Sequence, residues 1–159
     1  MQTEFRKSVL PDEIRDLRAF DRKVFSKADL FTTQEWEEYE SFWMIVDGTA
    51  VGCCAFQLNV DFKEDVREDQ INPPMKGSLY IATTGILPAF QGKGMGPLLK
   101  SWQIAYAKYC GFGRIVTNTR NSNIPMILLN YRVGFRVIRI TPRYYTRPVE
   151  ATVVMELKL

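Results

Sequence analysis

Apolar and polar positions change period several times along the chain, and each change marks an element. Residues 3–8 read as a short first strand. Pro11 then opens an amphipathic helix with Ile14, Leu17, Val24 and Phe25 at helical spacing. Thr32 and Glu35 stand at capping-box separation ahead of Trp36 and Tyr39, which predicts a second helix. Apolar runs at 42–46 and 49–59 flank Asp47-Gly48, a hairpin signal. Residues 78–87 are uncharged throughout and predict a strand central in a sheet. After a glycine-rich turn, Pro97 opens a helix with Leu98, Trp102, Ala105 and Tyr109 on one stripe, and Gly111 ends it. Residues 114–119 form the next strand. A helix over 123–133 carries Pro125 in its first turn and stops at Gly134. Strands at 135–140 and 152–159 close the chain, the last alternating Val153, Met155, Leu157 and Leu159 with Thr152, Val154, Glu156 and Lys158. The order β-α-α-β-β-β-α-β-α-β-β gives a mixed α/β sheet, neither doubly wound nor a barrel.

Length and composition narrow this further. A chain of 159 residues fits one domain, 1–159, around one core. Its 46% apolar and 25% charged residues argue against disorder. The sequence has no run of eighteen apolar residues, and its start lacks the apolar core of a secretory leader. The expectation is a cytoplasmic protein without a membrane partner. The 21 basic and 18 acidic residues leave a net +3, and the lysines and arginines are spread along the chain, so no nucleic-acid partner is expected. Residues 61–69 hold five acids against two bases before Pro73-Pro74 and predict a mobile acidic loop. Cys53 and Cys54 are adjacent, and no two of the three cysteines have CxxC spacing, so neither a disulfide framework nor a metal site is expected. The sequence contains no histidine, which removes every Ser-His and Cys-His nucleophilic scheme.

The informative segment is Pro88-Ala89-Phe90-Gln91-Gly92-Lys93-Gly94-Met95-Gly96-Pro97, a tight turn between a strand and a helix start. Unpaired N–H groups at such a start, together with the helix dipole, favour an anion. Glycine permits the close backbone approach that a pyrophosphate needs, and Lys93 adds a mobile positive charge. The P-loop pattern fails, because Lys93 is not followed by Ser or Thr. The dinucleotide fingerprint GxGxxG fails on its third spacing. A third template, Q/R-x-x-G-x-G/A, is met by Gln91, Gly94 and Gly96. On spacing alone, a turn that only packs a strand on a helix stays equally open.

The strand ending in Ile86-Leu87-Pro88, the Gln91–Gly96 loop, its helix, and Asn123 followed by Gly134-Phe135 together resemble the GNAT superfamily of acetyl-CoA-dependent N-acetyltransferases. The specific motifs span about 78–140, and the element order matches over the whole chain. The resemblance implies a mostly antiparallel central sheet of about seven strands, with a splayed V between the fourth and fifth strands and four flanking helices. It implies acetyl transfer from acetyl-CoA to a primary amine on a small molecule or peptide by direct attack in a ternary complex. Ile86 and Leu87 match the backbone contacts to pantetheine, and the amides of Gln91, Gly92, Lys93, Gly94, Met95 and Gly96 match the pyrophosphate cradle. Asn123 matches a pantetheine contact, with helix N-capping as its other role. Gly85 marks either a close backbone approach or plain packing.

The resemblance leaves the catalytic groups open. Many relatives carry a tyrosine general acid four residues before Gly-Phe, and that position is Asn130 here. Tyr131 is its neighbour, rotated by about 100° around the helix. The chain is closer to a subset with asparagine there and a methionine like Met126. Tyr80 occupies the position of a glutamate base in some relatives, with a core aromatic as the alternative. Tyr144 and Tyr145 lie where the family often shapes its acceptor pocket, with surface packing as the other role. The rival reading is a non-catalytic acyl-CoA-binding sensor or scaffold, and a homodimer is compatible with either.

Overall fold

The structure is a computed structural model and describes residues 1–58 and 77–159. The predicted acidic loop at 61–69 and Pro73-Pro74 lie outside the described residues. Seven strands are described: β1 (Thr3–Lys7), β2 (Glu40–Val46), β3 (Thr49–Leu58), β4 (Ser78–Ile86), β5 (Arg114–Arg120), β6 (Arg136–Tyr145) and β7 (Glu150–Lys158). The helices among these residues are α1 (Ile14–Val24), α2 (Thr33–Glu38), α3 (Met95–Tyr109) and α4 (Ile124–Arg132). Sheet order is β1-β2-β3-β4-β5-β7-β6, so the uncharged β4 is the middle strand, as its composition predicts. The pairings described are antiparallel except β4 with β5, which is parallel and therefore needs the crossover that α3 provides. That parallel ladder runs from Ser78↔Arg114 to Ile81↔Thr117, while β4 itself continues to Ile86. No helix among the described residues is long and apolar enough to cross a membrane.

The chain forms two compact units. The first comprises Met1–Gln57 and Ala82–Leu99. Its core joins Leu17 and Phe20 of α1, Trp36 of α2, Trp43 of β2, and Cys53 and Ala55 of β3. The rings of Phe20 and Trp43 meet edge to face at 5.7 Å. Helix α1 begins at Ile14, because Pro11 sits in the turn that precedes it. The capping box of α2 has both halves: Glu35 N–H donates to Thr32 Oγ1 at 3.1 Å, and Thr32 N–H donates to Glu35 Oε1 at 3.0 Å. Asp47 and Gly48 both have positive φ, 47° and 80°, as a type I′ hairpin turn requires.

The second unit comprises residues 58–81 and Lys100–Leu159. Val116 and Val154 form a core cluster that Tyr80 and Ile138 join. In the same unit Arg114 and Glu156 pair at 3.0 Å, both nearly buried, and Arg114 Nε also donates to Ser78 Oγ.

Two expectations need correction. The buried side of α3 is Met95, Leu99, Lys100, Gln103 and Ala107, whereas Tyr109 is 92% exposed and Ala105 faces solvent. Apolar residues occupy more than one face of α3, so periodicity could not choose between them. Strand β6 also runs on through Thr141 to Tyr145, across a register shift that keeps it paired with β7 despite Pro142.

Gly85 is a packing glycine. A Cβ there would lie 3.2 Å from Phe20 Cε1, 3.2 Å from Val24 Cγ1 and 3.3 Å from Phe25 Cε2, all from α1 and its C-cap. Gly85→Ala is expected to lower unfolding free energy by about 1–3 kcal/mol through overpacking, read as a lower urea midpoint at unchanged m-value.

Candidate functional site

In the first unit, β4 delivers the chain into the glycine loop. Leu87 N–H donates to Val51 O of β3 at 2.9 Å. Successive N–H groups in a strand face opposite edges, so Ile86 N–H is turned away from β3. A single 3₁₀ turn, Pro88–Phe90, follows, with Phe90 N–H donating to Leu87 O at 2.8 Å. Gln91 then ties the loop back: its N–H reaches Pro88 O at 3.3 Å, and its side-chain Nε2 reaches Ile86 O at 2.9 Å.

These bonds revise the predicted cradle. The amides of Leu87 and Gln91 are already used by the chain. Gln91 is a strap, tied back through both its N–H and its side chain. Among the described residues, the amides of Gly92, Lys93, Gly94, Met95 and Gly96 have no hydrogen-bond acceptor, and the first helical bond runs from Leu98 N–H to Gly94 O. Pro97 removes a donor that would otherwise also be unpaired. Gly92 and Gly94 have φ of +73° and +82°, and a Cβ at either meets nothing within 4 Å. Glycine is therefore required there for backbone conformation, and the space above it is open. Left-handed residues alternating with others make a concave nest of N–H groups, here set on the N-terminus of a fifteen-residue helix. Lys93 Nζ lies 5.7 Å from the Phe90 ring centre, a cation held at the rim of that nest. The donor set fits a diphosphate.

The other predicted residues lie in the second unit, in separate settings. Asn123 is the N-cap of α4, its Oδ1 accepting from Met126 N–H at 3.3 Å. Asn130 is 1% exposed, its Nδ2 lies 3.9 Å from Met155 Sδ, and its Oδ1 has no partner among the described residues. Tyr131 is 56% exposed, with the Arg136 guanidinium 4.4 Å from its ring centre. The one-residue rotation along α4 thus turns asparagine inward and tyrosine outward.

Tyr80 donates its phenolic hydrogen to Asn118 Oδ1. Asn118 Nδ2 in turn donates to Thr152 Oγ1 at 3.0 Å and to Tyr145 Oη at 3.3 Å. The Arg120 guanidinium stacks 4.4 Å from the Tyr145 ring centre, and Tyr144 meets Tyr145 edge-on at 4.9 Å. Sequence reasoning missed Asn118 and Thr152. The available signal was an amide within the apolar run of β5, directly opposite Val154 on β7.

Residues 11–135 match the model of the acetyltransferase (GNAT) family. A search of the curated proteins finds no match to the chain. Among solved structures, Arabidopsis thaliana NAA60 in complex with acetyl-CoA superposes with a TM-score of 0.80 at 17% identity, covering 99% of both chains. The ribosomal-protein-S18-alanine N-acetyltransferase from Escherichia coli gives 0.77 at 16% identity, over 99% of this chain and 94% of that one. The IAA acetyltransferase from Bacillus cereus gives 0.71 at 16%, over 99% and 100%. At these identities the likeness is one of fold.

The polar cluster around Asn118 generates a stability prediction. Asn118→Ala leaves the hydroxyls of Tyr80 and Thr152 without this partner and is expected to cost about 1–3 kcal/mol in urea unfolding. Combining it with Tyr80→Phe should give clearly less than the sum of the two single losses.

Proposed function

Because the chain belongs to the acetyltransferase (GNAT) family, with acetyl-CoA as cosubstrate, we propose that it transfers acetyl to a primary amine by direct attack in a ternary complex. The observation that carries this reading is the row of unbonded amides from Gly92 to Gly96 on the N-terminus of α3. In this reading residues 1–159 act as one catalytic domain, and the acceptor is an amine-bearing small molecule or peptide.

The cosubstrate supplies a thioester that the amine attacks and a thiolate that leaves. The chain must grip the diphosphate, stabilise negative charge on the carbonyl oxygen, and let protons move. The first task falls to the amides of Gly92, Lys93, Gly94, Met95 and Gly96, with the Lys93 ammonium beside them. Gln91 keeps that loop at a fixed distance from the strand end through Ile86 O. Ile86 N–H, turned away from β3, is the donor for the carbonyl oxygen.

Proton handling is lighter. An α-amine of pKa near 8 needs little help to lose its proton at neutral pH, and a thiol of pKa about 8.5 leaves without a strong acid. Asn130 cannot exchange a proton as an acid would, so its role is to offer a hydrogen bond from a buried amide. Tyr80 acts through its bond to Asn118, holding the β5 side of the acceptor region. Tyr131 points outward and takes no part.

Incubation with acetyl-CoA and a panel of amines should give amine-dependent coenzyme A release and a product 42 Da heavier, about one acetyl group in place of one hydrogen. Tight acetyl-CoA binding without turnover across the panel would favour the sensor or scaffold reading instead. Gly94→Val should weaken coenzyme A binding in calorimetry by about tenfold or more while the variant stays folded, since a side chain at positive φ costs about 1–2 kcal/mol and reshapes the nest. Asn130→Ala should reduce kcat only modestly. A loss of about a thousandfold would instead mark a positioned proton donor.

A further inference from the structure

The lysines and arginines are spread along the chain, but the acids are not. From residue 78 to residue 149 the sequence holds ten basic residues and no acidic one. Five of these are arginines within α4, β6 and the turn that follows: Arg132, Arg136, Arg139, Arg143 and Arg147. The acids that the second unit does carry among its described residues are already engaged. Glu156 pairs with Arg114 at 3.0 Å, and Glu150 pairs with Arg120 at 3.2 Å. Arg132, Arg136, Arg143 and Arg147 are exposed, and among the described residues none has a carboxylate partner. Arg136 is held by the Phe135 carbonyl at 2.9 Å and the Tyr131 ring, so its guanidinium is fixed and still uncompensated.

This charge lies along a sheet edge. Strand β6 ends the strand order and, among the described residues, pairs with β7 on one side only. Among those residues its other side presents backbone N–H and C=O groups without a ladder, up to Pro142, which interrupts it. Arginines alone would be an ordinary guard against strand addition. The apolar residues among them do not fit that role: Val137, Ile140 and Tyr144 on β6 are each about half exposed. A row of main-chain donors and acceptors, apolar side chains at intervals, and arginines without acids is the recognition surface for an extended strand of opposite charge.

We propose that residues 136–141 of β6 dock an acidic, extended peptide segment of a partner protein by strand addition. A second copy of the same edge is disfavoured, because pairing would bring together two stretches that carry arginines and no acid. A polynucleotide would use the charge but neither the open ladder nor Val137 and Ile140. The proposal does not depend on acyl transfer.

The test uses the whole chain with a fluorescein-labelled decapeptide of alternating valine and glutamate, and with oligouridylate of ten nucleotides. Expected are saturable anisotropy with the peptide that weakens as salt rises, and slowed amide exchange within 136–141 on binding. The double variant Arg136→Glu/Arg143→Glu should bind at least about tenfold more weakly at an unchanged urea midpoint. If that variant does not fold, Arg132→Glu/Arg147→Glu replaces it with the same expectation. The proposal is overturned by absent peptide binding, by unaltered affinity in a folded variant, by no added protection of β6, or by oligouridylate binding more tightly. Self-association through β6 in sedimentation, with no competition by the peptide, would overturn it as well.

Discussion

The bond from Gln91 Nε2 to Ile86 O fixes the distance between the end of the central strand and the start of the loop. The loop has two left-handed glycines and a run of unbonded amides, an arrangement with little cohesion of its own. A chain segment of that kind would lose conformational freedom on meeting a ligand, and the loss would weaken binding. Gln91 removes part of that cost in advance, and the Leu87 N–H bond to Val51 anchors the same corner to β3. Below it, Gly85 lets α1 press directly on β4. The glycine loop is therefore braced by ordinary packing and two main-chain acceptors.

A second principle governs the polar residues of the other unit. Asn118 sits in a strand whose preceding residues are buried, and its amide is shared among Tyr80, Tyr145 and Thr152. A single unpaired amide in that position would cost about 1–3 kcal/mol, so the four groups hold one another in register. Asn130 shows the opposite arrangement. It is buried to the same degree as the core around it, yet its Oδ1 is unmatched and its Nδ2 meets only a thioether.

How much of this was legible in the sequence depends on whether a feature is local. The capping box of Thr32 and Glu35, the Asp47-Gly48 turn and the glycine loop are set by neighbours a few residues apart, and each was readable. The order of elements followed from them, because each boundary was marked by proline, glycine or a cap. The α3 stripe failed, since a helix apolar on several faces carries no period that names its buried side. Gln91 was readable as a motif letter but not as a strap, because its acceptor is a carbonyl whose direction only the folded strand defines. Asn118 and Thr152 are 34 positions apart and meet only through β5–β7 pairing, so no spacing rule could join them.

Charge sorts the chain along the same division. Met1–Gln57 carries eleven acids against seven bases, whereas Ala82–Leu99, in the same unit, has one cation, Lys93, and no acid. The excess of acids in Met1–Gln57 is not uniform, since α1 exposes Arg15, Arg18, Arg22 and Lys23. A lysine side chain is neutralised by any carboxylate that reaches it. Backbone dipoles cannot be neutralised in that way, because their direction is set by φ and ψ, and they act only on a group that enters the nest. With one side-chain charge in the loop, any anion it takes is selected by its fit to the directed amides more than by charge alone.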